Sequence, residues 1–532
     1  MTKAGEAPES AAGDHSPWAI AFVVAIATFM EVLDTTIANV ALRYISGGLA
    51  IGPDEAAWVV TSYLVANAIA LTASSFLAKR YGRKMFFMLS VGLFTVASVL
   101  CGFAWSLESL LFFRVLQGLG GGGMAPLAQS ILADAFPPEK RGQAFAVYGV
   151  AIVVAPVIGP TLGGWLSDNL SWHWCFLING PIGAASLGLV WWLLQDPRQA
   201  VEERERLRRE GVRFDVVGFV LVALFLGSLE VILDEGLRAD WFDSSFIDVF
   251  AIVCGVALAA MIPWLLTRRN PAVDLRLLGR RQFAACFVVM LGTGAILIAT
   301  TQFVPQIVQE QYGYNATLAG LVLAPGGMVT VAAMLLAGRL SSRIEPKWMI
   351  VFGSTLICYG LYSLTWLQGE STFWFFTEGR MWIGAGLPFV FLSVTAASYV
   401  GLRPGETDQA SAQINMARNI GGSLGVSLAQ NTLAHREQFH QSRLVEHINA
   451  DNPAYQRTIA QAQSLFVSQG MTPGEAQSRA FSWAAQQVQS QVAFWAYIDV
   501  FLTLAVVAAL IIPCALFMKT RKSASGEARQ PG

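Results

Sequence analysis

The sequence predicts an all-α integral membrane protein: two six-helix bundles with two further transmembrane helices inserted between them, fourteen spans in all. Three observations predict it. Only 13% of the 532 residues are charged and 54% are hydrophobic, against roughly 25% charged in an ordinary soluble domain. Fourteen apolar runs approach or exceed the ~20 residues that a bilayer-crossing helix needs. Motifs in the first half also recur at matching spacing in the second. The same composition excludes disorder, collagen and a disulfide scaffold. A net charge of −1 offers nucleic acid no basic surface, so no nucleic-acid partner is expected.

The segments follow in order. Residues 1–16 read as a cytoplasmic tail, in which Lys3 is outweighed by Glu6, Glu9 and Asp14. That is not the basic leader of a signal peptide, and the apolar run after it is too long for one. The N-terminal bundle takes residues 17–194, with spans near 17–42, 54–78, 84–104, 107–133, 142–168 and 172–194. Residues 195–281 hold a cytoplasmic linker and two inserted spans, near 214–235 and 246–268. The first five helices of the C-terminal bundle take 282–434, near 282–310, 316–340, 347–368, 372–400 and 408–434. A segment at 435–490 lies outside the membrane, the last transmembrane helix takes 491–518, and 519–532 is a second cytoplasmic tail.

Orientation follows from Lys and Arg in the short loops. One set carries Lys79, Arg80, Arg83 and Lys84, then Lys140 and Arg141, then Arg204, Arg206, Arg208 and Arg209. It continues with Arg268, Arg269, Arg280 and Arg281, then Arg343 and Lys347, then Lys519, Arg521 and Lys522. The opposite loops hold little beyond Arg43 and Arg238. An even number of spans and this asymmetry both place the two termini in the cytoplasm.

An internal repeat links the halves. Leu77, Arg80 and Lys84 recur as Leu340, Arg343 and Lys347. Arg114, Gly118 and Gly120 recur as Arg380, Gly384 and Gly386. Duplicated bundles of this kind are a common transporter plan. The outer segment reads as two helices. Asn452-Pro453 starts one and Gly470 stops it. Thr472 and Glu475 form a capping box that opens a second helix, which could run into the last span.

Charged side chains inside spans carry the chemistry, because each costs ~2.5–3.5 kcal/mol at the bilayer centre and so faces a cavity or a partner. Glu31, Asp34, Thr35, Ala38 and Leu42 share one face of the first helix, with Asn39 beside them. Asp34 lies eight residues before the outer end of its span, roughly 12 Å at ~1.5 Å per residue. Arg114 lies about seven residues inside the fourth, roughly 10 Å. The two meet at similar depth, and a carboxylate there can bind and release a proton as access alternates. A static ion pair fixing helix register is the competing reading. Arg380, with Glu378 beside it, and Arg418 stand between packing and function. Glu230 and Asp234 fall near the outer end of an inserted span, where solvated positions are expected.

Other signals are weaker. The GxGxxG match at 118–123 lacks the strand-turn-helix context of a dinucleotide site; its glycines serve close helix packing instead. The run 155–164, with Pro156, Gly159, Pro160, Gly163 and Gly164, describes a helix able to bend and pack tightly. The six cysteines sit in or beside apolar runs and read as buried apolar side chains. His435, His440 and His447 do not share a helical face, so no metal site is expected. No hydrolase, HExxH or P-loop pattern appears, so no enzyme is expected. Tyr63, Asn67, Gln117, Gln129, Gln306, Gln309 and Asn415, with Trp58, are candidates for lining a mixed apolar and polar cavity.

These motifs resemble a known family. Leu33 to Leu42, reading LDTTIANVAL, resembles the first-span motif of the 14-span drug:proton antiporters of the major facilitator superfamily. Arg114-Val115-Leu116-Gln117-Gly118 is similar to its fourth-span motif, and 155–164 to its fifth-span antiporter motif. Pro305-Gln306 through Gln309-Glu310, Tyr312-Gly313-Tyr314 and the long outer segment resemble the EmrB branch of the EmrB/QacA subfamily. The resemblance implies export of hydrophobic or amphipathic compounds from the inner membrane, with the proton gradient as energy source and no cofactor. It implies Asp34 and Arg114 as coupling residues; Glu31, an added carboxylate that the motif does not require, is a further coupling candidate from its place inside the span. It also implies a periplasmic membrane-fusion adaptor and an outer-membrane channel as partners, besides membrane lipid, with 435–490 the candidate adaptor contact by position. The loop motif around Lys79, Arg80, Gly82 and Arg83 departs from the family in carrying Lys79 where many members carry Asp. From the residues alone, proton-coupled uptake of a small organic solute on the same fold, and a non-transporting membrane sensor, stay open.

Overall fold

The computed structural model describes residues 16–196, 198–209, 214–268, 270–403, 406–446, 448 and 452–518. Lys3, Glu6, Glu9 and Asp14, then Arg269, His447, Lys519, Arg521 and Lys522, lie outside the described residues.

The first half runs α1 (Pro17–Leu49), α2 (Pro53–Tyr81), α3 (Arg83–Cys101), α4 (Leu107–Gly121), α5 (Met124–Ala135), α6 (Pro138–Asn169), the single turn α7 (Trp174–Leu177) and α8 (Asn179–Leu193). A charged helix, α9 (Arg198–Arg209), leads to α10 (Val216–Glu235) and α11 (Ser245–Thr267). The second half runs α12 (Arg281–Glu310), α13 (Ala316–Leu340), α14 (Pro346–Leu364), α15 (Phe373–Ser398) and α16 (Thr407–Val445), followed by α17 (Pro453–Ser468) and α18 (Pro473–Leu516). No strand occurs among the described residues.

Eleven described helices are long and apolar enough to cross a membrane. The other three expected spans are helical but fall outside that set for local reasons. Residues 107–133 divide into α4 and α5 around Gly122 and Gly123. In α14, Gly, Ser, Thr and Tyr dilute the apolar residues, and α16 is rich in amide and hydroxyl side chains. Large apolar side chains such as Phe22, Leu93, Val256 and Leu510 stand exposed around the outside, as a lipid-embedded surface requires.

The repeat is visible in the packing. Helix α1 packs on α6 as α12 packs on α16, α2 on α4 as α13 on α15, and α3 on α8 as α14 on α18. The repeated glycines show why. A Cβ on Gly118 would stand 2.5 Å from the Tyr63 carbonyl oxygen, and one on Gly384 would stand 2.5 Å from the Gly326 carbonyl oxygen. Only glycine lets these backbones touch. The halves meet along two seams, α6 against α13 and α2 against α16, and the α10–α11 pair lies over the second.

Two helices, α1 and α16, outrun their expected ends. Helix α1 continues to Leu49, seven residues past the expected end at 42. Helix α16 carries on through the expected edge at 434, and α18 runs unbroken from its capping box into the last span, as the sequence allowed. At 39 and 44 residues they extend ~58 and ~66 Å at ~1.5 Å per residue, about twice a ~30 Å hydrocarbon core. Helical periodicity does not break where lipid ends, so nothing local stops either helix there. The expected caps are present: the Asn452 side chain accepts from Ala454 N, that of Thr472 accepts from Glu475 N, and Gly470 takes φ +93°. Ile459, Ala462, Ala480 and Ala484 join α17 to the projecting part of α18.

Candidate functional site

Asp34 and Arg114 form an ion pair in the core of the first half, Nη1 to Oδ2 at 2.7 Å, with both side chains fully buried. Burial of this kind is tolerated where additional hydrogen bonds satisfy the remaining polar atoms, and the surroundings supply partners for both carboxylate oxygens and for Arg114 Nε and Nη1, while Nη2 has no hydrogen bond. Gln117, one turn on from Arg114, donates to Asp34 Oδ1 at 2.8 Å and accepts from Arg114 at 2.8 Å. Asn179 at the start of α8 donates to the same Oδ1 at 2.7 Å. Arg114 Nε donates to the Val59 carbonyl at 2.9 Å, and its guanidinium lies 4.3 Å from the Tyr63 ring centroid. One side chain on α1 therefore ties α4 and α8 together, and Arg114 adds α2. Asn179 is the one amide in its apolar run, a signal the sequence carried without its significance being drawn.

One turn earlier on α1, Glu31 is buried beside a second network. Asn67 donates to Glu31 Oε1 at 3.2 Å, and Oε2 has no hydrogen-bond partner. Asn67 also accepts from Asn419 at 3.4 Å, and Arg418 acts on Glu31 through space. Asn415 donates to Gln129 at 2.9 Å, and Gln129 donates to Tyr148 at 3.4 Å. This layer joins α1, α2, α5 and α6 of one half to α16 of the other.

Not every candidate joins it. Gln306 donates to Glu310 at 2.9 Å at the end of α12, and Gln309 is exposed and donates to the Pro305 carbonyl at 3.2 Å. Both lie at the end of α12 and bond within it. Asn39 is exposed on α1. Arg380 is buried and donates to Thr300 Oγ1 at 2.7 Å and Thr301 Oγ1 at 3.1 Å; Glu378, expected beside it, is exposed. Arg418 donates to Asn419 at 3.4 Å and leaves Nη1 without a hydrogen bond.

The expectation for Glu230 and Asp234 is overturned. Glu230 is only 7% exposed and accepts from Ser423 at 2.6 Å, while Asp234 accepts from Thr61. The inserted pair is not a solvated appendage. It packs its carboxylates inward, because the opposite face of α10 presents Val216, Val217, Val220 and Leu224 outward.

At the arginine-rich face the halves are tied by Arg83. It pairs with Asp134 at the end of α5 and, at 3.0 Å, with Asp408 at the start of α16, to which Ser130 also donates. Lys79 stands where the resembling motif carries Asp in many members, and Arg83 takes its acids from α5 and α16. Gly82 takes φ +91°, with the Asp196 carboxylate 2.4 Å from where a Cβ would stand; Arg80 is exposed. Phe145 of α6 stacks on Tyr399 at 5.5 Å on the other seam.

The run 155–164 lies within an unbroken α6. A Cβ on Gly159 would stand 2.1 Å from Thr36 Oγ1, and one on Gly163 3.2 Å from Ile37 Cα. The run presses α6 onto the stretch of α1 that follows Asp34. Pro156 and Pro160 remove two helical donors there, and Gly164 is buried.

A duplicated helical bundle with a buried charge network at its centre is the architecture of a membrane transporter, and the model of the Major Facilitator Superfamily matches residues 24–426. The chain belongs to that superfamily. Within it the chain is an EmrB-like drug transporter. It is 37% identical to the multidrug export protein EmrB of Escherichia coli K12 over 90% of this chain and 92% of that one. It is 35% identical to the fatty acid resistance protein FarB of Neisseria gonorrhoeae over 84% and 87%. The crystal structure of the human organic anion transporter MFSD10 shares the fold, with a TM-score of 0.59 at 11% identity over 94% of this chain and all of that one.

Proposed function

We propose that this protein exports hydrophobic and amphipathic compounds in exchange for protons, from a bacterial inner membrane, with both termini cytoplasmic. The observation that carries the coupling is the buried Asp34–Arg114 pair. A proton arriving at Asp34 neutralises the carboxylate that Arg114, Gln117 and Asn179 all grip. The contacts joining α1 to α4 and α8 then loosen together. Because α6 packs glycine-to-backbone on α1, a shift of α1 is passed to the α6–α13 seam. Substrate leaving and proton entering use the same rearrangement, which is what exchange requires.

In this reading Arg83, Asp134 and Asp408 hold the cytoplasmic ends of the halves together and must part for that side to open. The layer of Glu31, Tyr63, Asn67, Gln129, Asn415 and Arg418 supplies polar contacts at the seam, and Glu31 is a second proton site. Export fits the names of the relatives, multidrug export and fatty acid resistance. The projecting ends of α16 and α18 with α17 are the proposed contact for a periplasmic adaptor leading to an outer-membrane channel.

In everted vesicles with an imposed pH gradient, adding a transported drug should dissipate the gradient, and Asp34→Asn should abolish that response. Wild-type rates in Asp34→Asn would remove the coupling role. A transport screen in an efflux-deficient host, with and without the adaptor, tests direction and partnership.

A further inference from the structure

The inserted helices meet the two halves through different kinds of contact. Toward the second half they are held by hydrogen bonds. Near the arginine-rich face, Gln409 of α16 accepts from Asp274 N at 3.2 Å and donates to the Ala272 carbonyl at 3.1 Å, and Gln413 donates to the Asp274 carbonyl at 2.8 Å. The loop they grip is fastened in turn to the inserted pair. Asp215, the N-cap of α10, accepts from Ala272 N at 3.3 Å and from Trp264 Nε1 of α11 at 3.0 Å. Arg276 donates to the Leu266 and Arg268 carbonyls at 3.0 and 2.7 Å. Midway along, Ser423 of α16 donates to Glu230 at 2.6 Å. At the far end Trp241, between α10 and α11, donates to Asn431 at 2.8 Å, and Asn431 donates to the Ser427 carbonyl at 2.8 Å. From Gln409 to Asn431 these ties extend over ~33 Å of α16 at ~1.5 Å per residue, about the ~30 Å thickness of a hydrocarbon core.

Toward the first half the contact is mainly apolar. Phe76 of α2 meets Phe214 at 4.7 Å between ring centroids, Trp58 meets Phe246 at 6.2 Å, and Ala68 packs against the cluster of Val222 and Leu226. A Cβ on Gly227 would stand 3.5 Å from Val65 Cγ1 and 3.7 Å from Ile69 Cδ1, ordinary van der Waals separations. Gly227 therefore makes no interlock with backbone of the kind that Gly118 makes on Tyr63. A polar contact with α2 sits at the outer end, where Thr61 donates to Asp234 and, at 3.5 Å, to Glu235 in the last turn of α10.

Hydrogen bonds are directional and hold one register. Apolar contact is non-directional, and packed helices can slide along it. We propose that α10 and α11 move with the second half as one rigid body and slide over α2 when the halves rock, with Thr61 and Asp234 as a latch at one end of that travel. The pair then keeps lipid from the polar groups of the α2–α16 seam, such as Asn67 and Asn419, while that seam changes shape. This gives the insertion a part in the alternating movement that the export reading invokes, whichever way the substrate travels.

The test is the distance between spin labels on the full-length protein in lipid nanodiscs, carrying Cys254→Ala, Cys358→Ala and Cys514→Ala so that the partly buried native thiols do not react. Labels go on the exposed Val96 of α3, Leu335 of α13 and Ile252 of α11, two at a time, at alkaline and acidic pH and in Asp34→Asn. The Val96–Leu335 distance should shift by several ångströms between conditions. The Ile252–Val96 distance should shift with it, and the Ile252–Leu335 distance should stay constant. Thr61→Val should broaden the Ile252–Val96 distribution, and Ser423→Ala combined with Asn431→Leu should broaden that of Ile252–Leu335. An Ile252–Leu335 distance that shifts together with Val96–Leu335, or no shift in any pair, would overturn the proposal, as would wild-type widths in both sets of variants. A Thr61→Val protein alone indistinguishable from the wild type would overturn the latch. The expected shifts in a wild type that shows no drug-driven loss of a pH gradient would refute the export reading and leave the assignment of the inserted pair standing.

Discussion

Arg380 donates to Thr300 at 2.7 Å across a separation of 80 residues, and Arg114 donates to Asp34 at 2.7 Å across the same separation of 80 residues. The duplicated halves keep the arginine and its reach, but one half meets a carboxylate and the other a hydroxyl. The pseudo-symmetry is geometric, while the chemistry is one-sided: only the first half places a carboxylate at this position.

That asymmetry predicts unequal costs for losing the two arginines. Arg114→Met strands a buried carboxylate and should destabilise by about 3–5 kcal/mol. Arg380→Met leaves hydroxyls that still donate to the Ile296 and Leu297 carbonyls, so its cost should stay near ~1–2 kcal/mol. Thermal unfolding in one detergent compares them; equal losses would contradict the assignment.

Asn179 should matter to Asp34 although it lies outside the resembling motifs. Asn179→Leu removes a hydrogen bond to a charged group, a loss of about 1.5–3 kcal/mol. The matching change Ser186→Ala, one buried hydroxyl along the same helix, should cost less. Chemical unfolding of both variants checks this, and equal effects would show that the Asp34 contact is not special.

The Arg83–Asp408 contact should bias which side of the protein is open. With Asp408→Asn, a cysteine placed at Ser411 should be labelled faster from the arginine-rich face, by several-fold. Arg83→Gln should act in the same direction, since both remove one tie between the halves. Labelling rates equal to the wild type in both variants would show that the tie is not a gate.

The projecting helix α18 begins on a capping box whose strength should depend on pH. The Thr472 hydroxyl donates to Glu475 Oε2 at 2.7 Å, and this bond, with one from the Thr472 backbone, holds the Glu475 carboxyl below its ordinary value of 4.5. A lowered folded-state value means that the stabilisation is full above about pH 4.5 and fades as pH falls through the lower folded value. Hydrogen-exchange protection over residues 473–480, taken relative to the intrinsic exchange rate at each pH, should therefore fall in acid in the wild type. Thr472→Ala should lose about 1 kcal/mol of local protection and show a flatter pH dependence; an identical profile would refute the cap.

The central pair was legible because depth along a helix is a matter of counting residues. Asp34 and Arg114 meet even though α1 runs on to Leu49, since the added turns lie beyond Asp34 and do not move it relative to its neighbours. Gln306 and Gln309 were candidates by residue type alone, and in the fold they bond to Glu310 and to the Pro305 carbonyl within the end of α12. Glu230 was misplaced because closeness to a span's end says nothing about which face is covered, and α16 covers it. The acids that complete the lock, Asp134 and Asp408, come from helices 274 residues apart in sequence and carried no local pattern.

By itself the sequence determined that the chain crosses a membrane repeatedly, where its helices lie and that its halves are related. Hydropathy, caps and glycine spacing are local properties, and in lipid a helix must satisfy its own backbone. Only the tertiary structure decided the partners: Asn179 on Asp34, a hydroxyl under Arg380, Asp134 and Asp408 on Arg83, and Ser423 on Glu230 where the inserted pair meets the seam. A buried charge takes whatever complementary group packing brings within a few ångströms, and that is fixed by which helix faces meet rather than by distance along the chain.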